Sequence, residues 1–337
     1  MPIAIVRRIA LSPGMTNPLL DRDDIRHCLA VAEASQSNLW LVGRLLGAPR
    51  RTFFAASYAS MRVIDDFVDD DFLQRPAAVR QQERATAVQT VDDWAVAIGK
   101  ASAGAAVADG TFDDRIFSGL SVTLGRSDLG DLPWRRMAQA MRHDVKEEPF
   151  EVWDDFLAYC EGATVAPASV FLYVLAMRCE NDPQFRSGLP GPANDPASLA
   201  RDMGVFCYLV HILRDLRKDA ERGETLLTIP NDILSEHGLS RTGLAEGARA
   251  GQAERLIGLV QDLADRAAVY RDGAERVRAS LKDRLGKPEA VILDGLLAVY
   301  YGLHDRVLKD PAGVIRRPES FGDGVRRKIL AAAGLTV

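Results

Sequence analysis

An all-α chain folding as one large domain is what the sequence predicts, and three observations predict it. Apolar residues recur at helical spacing along almost all of the 337 residues. Strand signals are nearly absent: the short apolar run 226–229 stands alone, with no partner across a hairpin turn. No Pro/Gly/Ser-rich linker divides the chain, so residues 25–337 read as a single helical domain preceded by an N-terminal extension over 1–24.

The elements follow in order. Residues 37–46 form a short helix, and Gly47-Ala48-Pro49 breaks it before a longer one that carries Arg51 through Asp71. Pro76 reopens a helix that runs toward Ile98, and the Ala- and Gly-rich stretch 101–110 reads as a surface loop. Further helices are expected at 112–125, 134–146, 151–180, 196–222, 241–285, 288–309 and 320–333. Asn181-Asp182-Pro183 and the stretch 188–196 punctuate the middle, and Gly223 with Pro230 ends the helix before it.

Composition narrows the function classes. A net charge of −5 with no polybasic arm argues against nucleic acid as a partner. Cys28, Cys160, Cys179 and Cys207 are widely spaced and form no ligand set, which suits reduced, packed thiols in a cytoplasmic protein. The first eight residues, Met1 to Arg8, lack the apolar core and cleavage site of a signal peptide. The most apolar stretch, 163–177, falls short of the roughly 20 residues a spanning helix needs and contains Pro167. The chain is expected to be cytoplasmic, or peripheral to a membrane. No Gly-rich fingerprint follows a strand, so NADPH is not expected.

Two aspartate pairs at helical i,i+4 spacing point to chemistry: Asp65 and Asp69 in Arg62-Val63-Ile64-Asp65-Asp66-Phe67-Val68-Asp69-Asp70, and Asp215 and Asp219 in His211-Ile212-Leu213-Arg214-Asp215-Leu216-Arg217-Lys218-Asp219. Residues four apart share a helix face, so each pair sets two carboxylates side by side. Facing pairs would hold Mg²⁺, with Mn²⁺ as a substitute, and Mg²⁺ joins one or two carboxylates to substrate phosphates. A phosphate or diphosphate ester is therefore the implied substrate. The competing account of Asp65 and Asp69 is a solvated helix face, since Val63, Ile64, Phe67 and Val68 fill the opposite arc. Asp215 and Asp219 instead lie along an apolar stripe with Tyr208, Ile212 and Leu216. A charge turned toward a core needs a metal or an ion pair, and for Asp215 a salt bridge to a neighbouring arginine is the alternative.

The sequence resembles the squalene/phytoene synthase family in three ordered blocks. These are Tyr58-xxx-Arg62-xx-Asp65-Asp66-xx-Asp69, Phe156-Leu157-Ala158-Tyr159-Cys160, and Ile212-Leu213-Arg214-Asp215-xxx-Asp219-Ala220-x-Arg222-Gly223. The resemblance spans residues 25–330. It implies an isoprenoid synthase-type helical bundle around a central cavity, and Mg²⁺-dependent head-to-head condensation of two prenyl diphosphates through a cyclopropylcarbinyl diphosphate. Squalene, dehydrosqualene, hydroxysqualene or phytoene would result, in a carotenoid or hopanoid pathway, and release of such an apolar product implies peripheral contact with a membrane.

Residue by residue, the resemblance makes Asp65, Asp69, Asp215 and Asp219 the metal-binding set. It makes Arg62 and Arg214, with Arg51 added, the cationic holders of diphosphate. Tyr58 stands beside the same site, Ser35 and Ser37 match hydroxyls of a diphosphate-binding loop, and Tyr159 matches a tyrosine of the ionisation or rearrangement steps. A buried phenol bonded to a backbone carbonyl is the competing account of Tyr159. Where the family has Gln-x-x-Asn, this chain has Tyr208-xx-His211; both are taken as substrate-binding, His211 as a donor to diphosphate or else a core histidine satisfied by a carboxylate. The aromatic residue usual after the second serine is Asn38, and the family's small Val-Ala-Gly run is Ala163-Thr164-Val165-Ala166-Pro167-Ala168, expected to reshape a helix kink.

An allylic cation must be kept from water, and Phe54, Phe67, Phe171, Leu172, Val174, Leu175 and Phe206 are candidate walls. His27, His143, His237 and His304 show no ligand spacing and read as structural or exposed. Two other functions stay open: another metal-dependent reaction on a single prenyl diphosphate, by cyclisation or prenyl transfer, and a non-catalytic scaffold of the same fold. Chain length, product and oligomeric state are not encoded in any motif.

Overall fold

A computed structural model describes residues 19–335 apart from 36, 106, 108–109, 180–183, 193–194 and 333. The helices are α1 (Asp23–Ser35), α2 (Asn38–Gly43), α3 (Ala48–Asp66), α4 (Ala77–Ser102), α5 (Asp114–Ser121), α6 (Leu132–Lys146), α7 (Trp153–Cys160), α8 (Ala166–Ala176), α9 (Ala197–Arg222), α10 (Asn231–Glu236), α11 (Arg241–Arg249), α12 (Ala253–Leu281), α13 (Lys287–Lys309), α14 (Gly313–Arg316) and α15 (Asp323–Ala332). Among the described residues there is no strand, only the isolated bridges Ser127 with Phe185 and Arg178 with Arg186. The all-α expectation holds. Most of the expected extension, 1–18, lies outside the described residues.

Several boundaries differ from the sequence reading, each for a local reason. Helix α1 carries Ile25, Cys28 and Ala32 buried at helical spacing, a stripe too short to stand out against its acidic first turn. The expected helix 241–285 is α11 and α12, split where Gly251 takes a left-handed φ of 70°. Helix α4 runs to Ser102, into the expected loop.

Two π-helical turns matter more. Phe67–Phe72 extends α3, and Glu161–Val165 joins α7 to α8. Pro167 has no N–H to give Ala163 and its ring crowds that carbonyl, so the backbone widens just upstream and the Ala166 N–H reaches back to Glu161. The result is one continuous helical stretch from Trp153 to Ala176, 24 residues, which corrects the expectation that this region is too short to span a membrane. Its apolar face is spent inside the bundle: in α8 every residue but Pro167 is buried.

Helix α9 is the hub, packed against α8, α11, α12, α13 and the second π turn, while α3 packs on α1, α5 and α8. Two glycines let backbones close on that turn. A Cβ on Gly162 would stand 2.2 Å from the Arg136 carbonyl oxygen, and one on Gly204 of α9 would stand 3.0 Å from the Val165 Cα. The turn that follows Tyr159 is thus clamped between α6 and α9.

Candidate active site

One face of α3 carries Arg51, Tyr58, Arg62 and Asp65, spaced so that successive turns place them in line. Tyr58 interacts with the hydroxyls of Ser35 and Ser37; burial pushes its phenol up, and those hydroxyls oppose the shift. Both serines also hold local backbone: Ser35 donates to the Ala32 carbonyl at 2.7 Å, and Ser37 caps α2 by accepting from the Trp40 N–H at 3.1 Å. The Arg51 Nε is buried without an acceptor.

Past Asp66 the first π turn alters the spacing the sequence implied. Arg62 donates to Asp65 at 2.9 Å, pairs with Asp66, and also reaches Asp70 at 3.3 Å. One guanidinium gathers three carboxylates. Asp65 keeps about a third of its side-chain surface, 34%, yet burial, opposed by Arg62 and reinforced by Asp66, Asp144 and Asp70, raises its carboxyl to about 6. Burial and the charges of Asp65, Asp144 and Asp70 hold Asp69 well above the usual carboxylate range.

On α9 the second pair divides. Asp215 accepts from Arg214 at 2.9 and 2.5 Å and lies 3.1 Å from His211 Nε2, contacts that outweigh burial and hold its carboxyl far below the usual range. The arginine pairing weighed for Asp215 is therefore present. Asp219, raised to about 6 chiefly by burial, has no such partner bonded to it and feels opposing contributions from His211, Lys218 and Arg222. His211 is 45% exposed and pairs with the Asp215 carboxylate, so it is not a core histidine. Tyr208 stacks on Phe156 at 5.9 Å, and its hydroxyl is 3.3 Å from that of Thr228.

Tyr159 donates to the Asp144 carboxylate at 2.9 Å, a side-chain partner in place of the backbone carbonyl weighed from sequence. Burial raises the phenol well above its ordinary range, with Asp144, Tyr208 and Asp69 adding to the shift. Those three neighbours come from α6, α9 and the first π turn, so Tyr159 sits beside the first aspartate pair and against α9.

Arg222 completes the junction. It reaches from the end of α9 to the Asp70 carboxylate and, at 3.5 Å, to the Asp69 carbonyl. Ser35, Ser37, Tyr58, Arg62, Asp65, Asp69, Tyr159 and Tyr208 form one connected set, and Tyr208, its ring 6.2 Å from that of His211, joins it to His211, Arg214 and Asp215, with Asp219 feeling the charges of His211 and Asp215; Arg51 shares only the helix face. Sequence reasoning missed Asp144 and Phe150 around Tyr159, and Arg326, which pairs with Asn38 and stands near Arg214 and Asp215. Asp144 and Arg326 act across tertiary contacts, which leave no mark in local spacing. Of the expected walls, Phe54 touches the site, 5.7 Å from Tyr58. Phe171, Leu172, Val174, Leu175 and Phe206 are core, and Phe67 is half-buried against Phe112.

The donor chemistry fits a hard divalent cation. Asp65, Asp69 and Asp219 are carboxylates held in protein with too little positive charge to settle them, which a cation would relieve. Among the described residues no three ligand side chains converge on one point. Mg²⁺ takes one or two carboxylates and completes its shell with phosphate oxygens and water.

A family model described as squalene/phytoene synthase matches residues 32–324. A phytoene synthase of Arthrospira platensis is 25% identical over 246 residues, 71% of this chain and 72% of that one. A 15-cis-phytoene synthase of Synechococcus elongatus is 26% identical over 249 residues, 74% of this chain and 73% of that one. Among solved structures, a dehydrosqualene synthase in complex with ligand superposes with a TM-score of 0.66 at 18% identity, covering 94% of this chain and 98% of its own. A squalene synthase from Alicyclobacillus acidocaldarius gives 0.65 at 18%, covering 88% and 96%. These likenesses make the fold an all-α isoprenoid synthase fold, and with the family match over most of its length the chain belongs to the squalene/phytoene synthase family.

Proposed function

We propose that the chain condenses two prenyl diphosphates head to head with Mg²⁺, releasing diphosphate and giving a product of squalene or phytoene type. As a member of this family it is a prenyltransferase of isoprenoid biosynthesis. The observation that carries the finer reading is the link between the two aspartate segments, Arg222 at the end of α9 reaching Asp70, with Asp69 beside the half-buried Tyr159. A phytoene-type product is favoured by the names of the relatives.

Asp65, Asp69, Asp215 and Asp219 would hold the metal, which when bound supplies Lewis-acid neutralisation of the departing diphosphate. Arg62 and Arg214 present guanidinium forks, suited to phosphate oxygens. Ser35, Ser37 and Tyr58 supply hydroxyl donors at the end of α1 and the start of α2. Phe150 and Tyr208 pack against the Tyr159 ring, and Phe156 stacks on Tyr208, giving an aromatic wall where a cation would form.

Incubation with farnesyl or geranylgeranyl diphosphate and Mg²⁺, followed by mass spectrometry of the organic extract, tests the proposal. It predicts a product containing both prenyl chains, lost in excess chelator. A cyclised or transferred single chain would favour the second function left open by the sequence, and an inert protein the scaffold.

A further inference from the structure

Behind Tyr159 lies a chain of polar groups that leads away from the two aspartate walls. Asp144, at the C-terminal end of α6, accepts the phenol hydrogen bond and keeps 12% of its side-chain surface. The next residue back, His143, places its Nδ1 3.9 Å from the other Asp144 oxygen; that nitrogen is buried and has no hydrogen-bond partner. The imidazole lies flat on Phe150, ring centres 4.5 Å apart and planes 19° apart, and 5.4 Å from the Tyr159 ring. A groove of about 570 Å³ opens to solvent between α6 and α7, with His143 and Tyr159 in its wall and Glu148, Glu151 and Asp155 also lining it. Carboxylates at the lip suit an imidazole that carries positive charge in passing.

We propose that Asp144 and His143 form a proton exit from Tyr159 to this groove, a role that rests on the head-to-head reading. Diphosphate leaves C1 of one substrate with the bonding pair, and C1 bonds to C2 of the second substrate's double bond. The cation left at C3 closes onto C1 as a C1–H bond breaks and its electrons form the C1–C3 bond. One proton is released. The Tyr159 oxygen takes it while its own hydroxyl proton passes to Asp144, then to the unpartnered Nδ1 of His143, whose other nitrogen gives a proton to the groove. Tyr159 ends as it began, Asp144 does so once its carboxyl turns to pass the proton from one oxygen to the other, and His143 ends as its other tautomer, which proton exchange with groove water resets before the next turnover. Diphosphate itself is the competing acceptor.

Single-turnover kinetics with farnesyl diphosphate and Mg²⁺ test the relay in three variants. Asp144→Asn keeps an acceptor for the Tyr159 hydroxyl but cannot take up a proton, so the chemical step should slow about 10²-fold with KM little changed. His143→Phe preserves the stack on Phe150 and hence the fold, and should slow the step about tenfold or more. His143→Ala should slow it similarly and regain much of the rate when imidazole is added, since the groove admits a small base. Unchanged turnover in Asp144→Asn or His143→Phe, or a His143→Ala defect indifferent to imidazole, overturns the relay. Wild type is assayed first: without a product holding both prenyl chains, the head-to-head reading and the relay fall together. With that product formed and the variants indifferent, the relay alone falls.

Discussion

At the scale of single residues, the site is a balance between carboxylates and too few cations. Asp65→Asn and Asp215→Asn should each lower turnover roughly 10²–10³-fold, the loss expected when one key electrostatic contact is removed, while circular dichroism shows the fold retained. Turnover that survives in both would remove the metal reading. For Tyr208 and His211 the structure suggests tolerance: Asp215 keeps its two Arg214 bonds when His211 is lost. The double change Tyr208→Gln with His211→Asn is therefore expected to leave the product class unchanged, checked by product analysis. The aspartate pairs were legible because both members of each lie on one short segment, where spacing alone places them together. Asp144 was not, because Tyr159, its partner, stands 15 positions away on another helix, and nothing in Arg142-His143-Asp144 announces it.

At the scale of elements, the two π turns carry the departures from ideal spacing. The helix of 151–180 could be read from its apolar run, and the kink from Pro167; the clamp on Gly162 could not, because the atom it meets, the Arg136 carbonyl oxygen, belongs to α6. Gly162→Ala should cost about 1–3 kcal/mol of stability by overpacking, seen as a lower urea midpoint. Asp65, in the last turn of α3 before the first π turn, bears on stability in the opposite sense. Folded Asp65 holds its proton up to about 6, whereas an unperturbed aspartate releases it near 3.8. Between those values the folded state binds more protons, so this group makes metal-free stability fall as pH rises. Asp65→Asn should flatten that part of the profile, and at neutral pH without metal it should be more stable than wild type. Urea denaturation from pH 4 to 7 in chelator measures both; an Asp65→Asn profile parallel to that of wild type would contradict the assignment.

At the scale of the whole molecule, helical periodicity sufficed for the fold class, and the three ordered blocks sufficed for the family. The convergence of α3, α6, α7 and α9 on Tyr159 is a tertiary fact. It depends on α9 packing through the bundle centre and on Arg222 reaching Asp70, and neither appears in any local pattern. The most direct measurement supplies an equal mixture of unlabelled and fully deuterated farnesyl diphosphate with Mg²⁺ and reads the product masses. Head-to-head coupling predicts a species carrying one light and one heavy half beside the two uniform ones. Products found only as wholly light or wholly heavy single-chain compounds would contradict it.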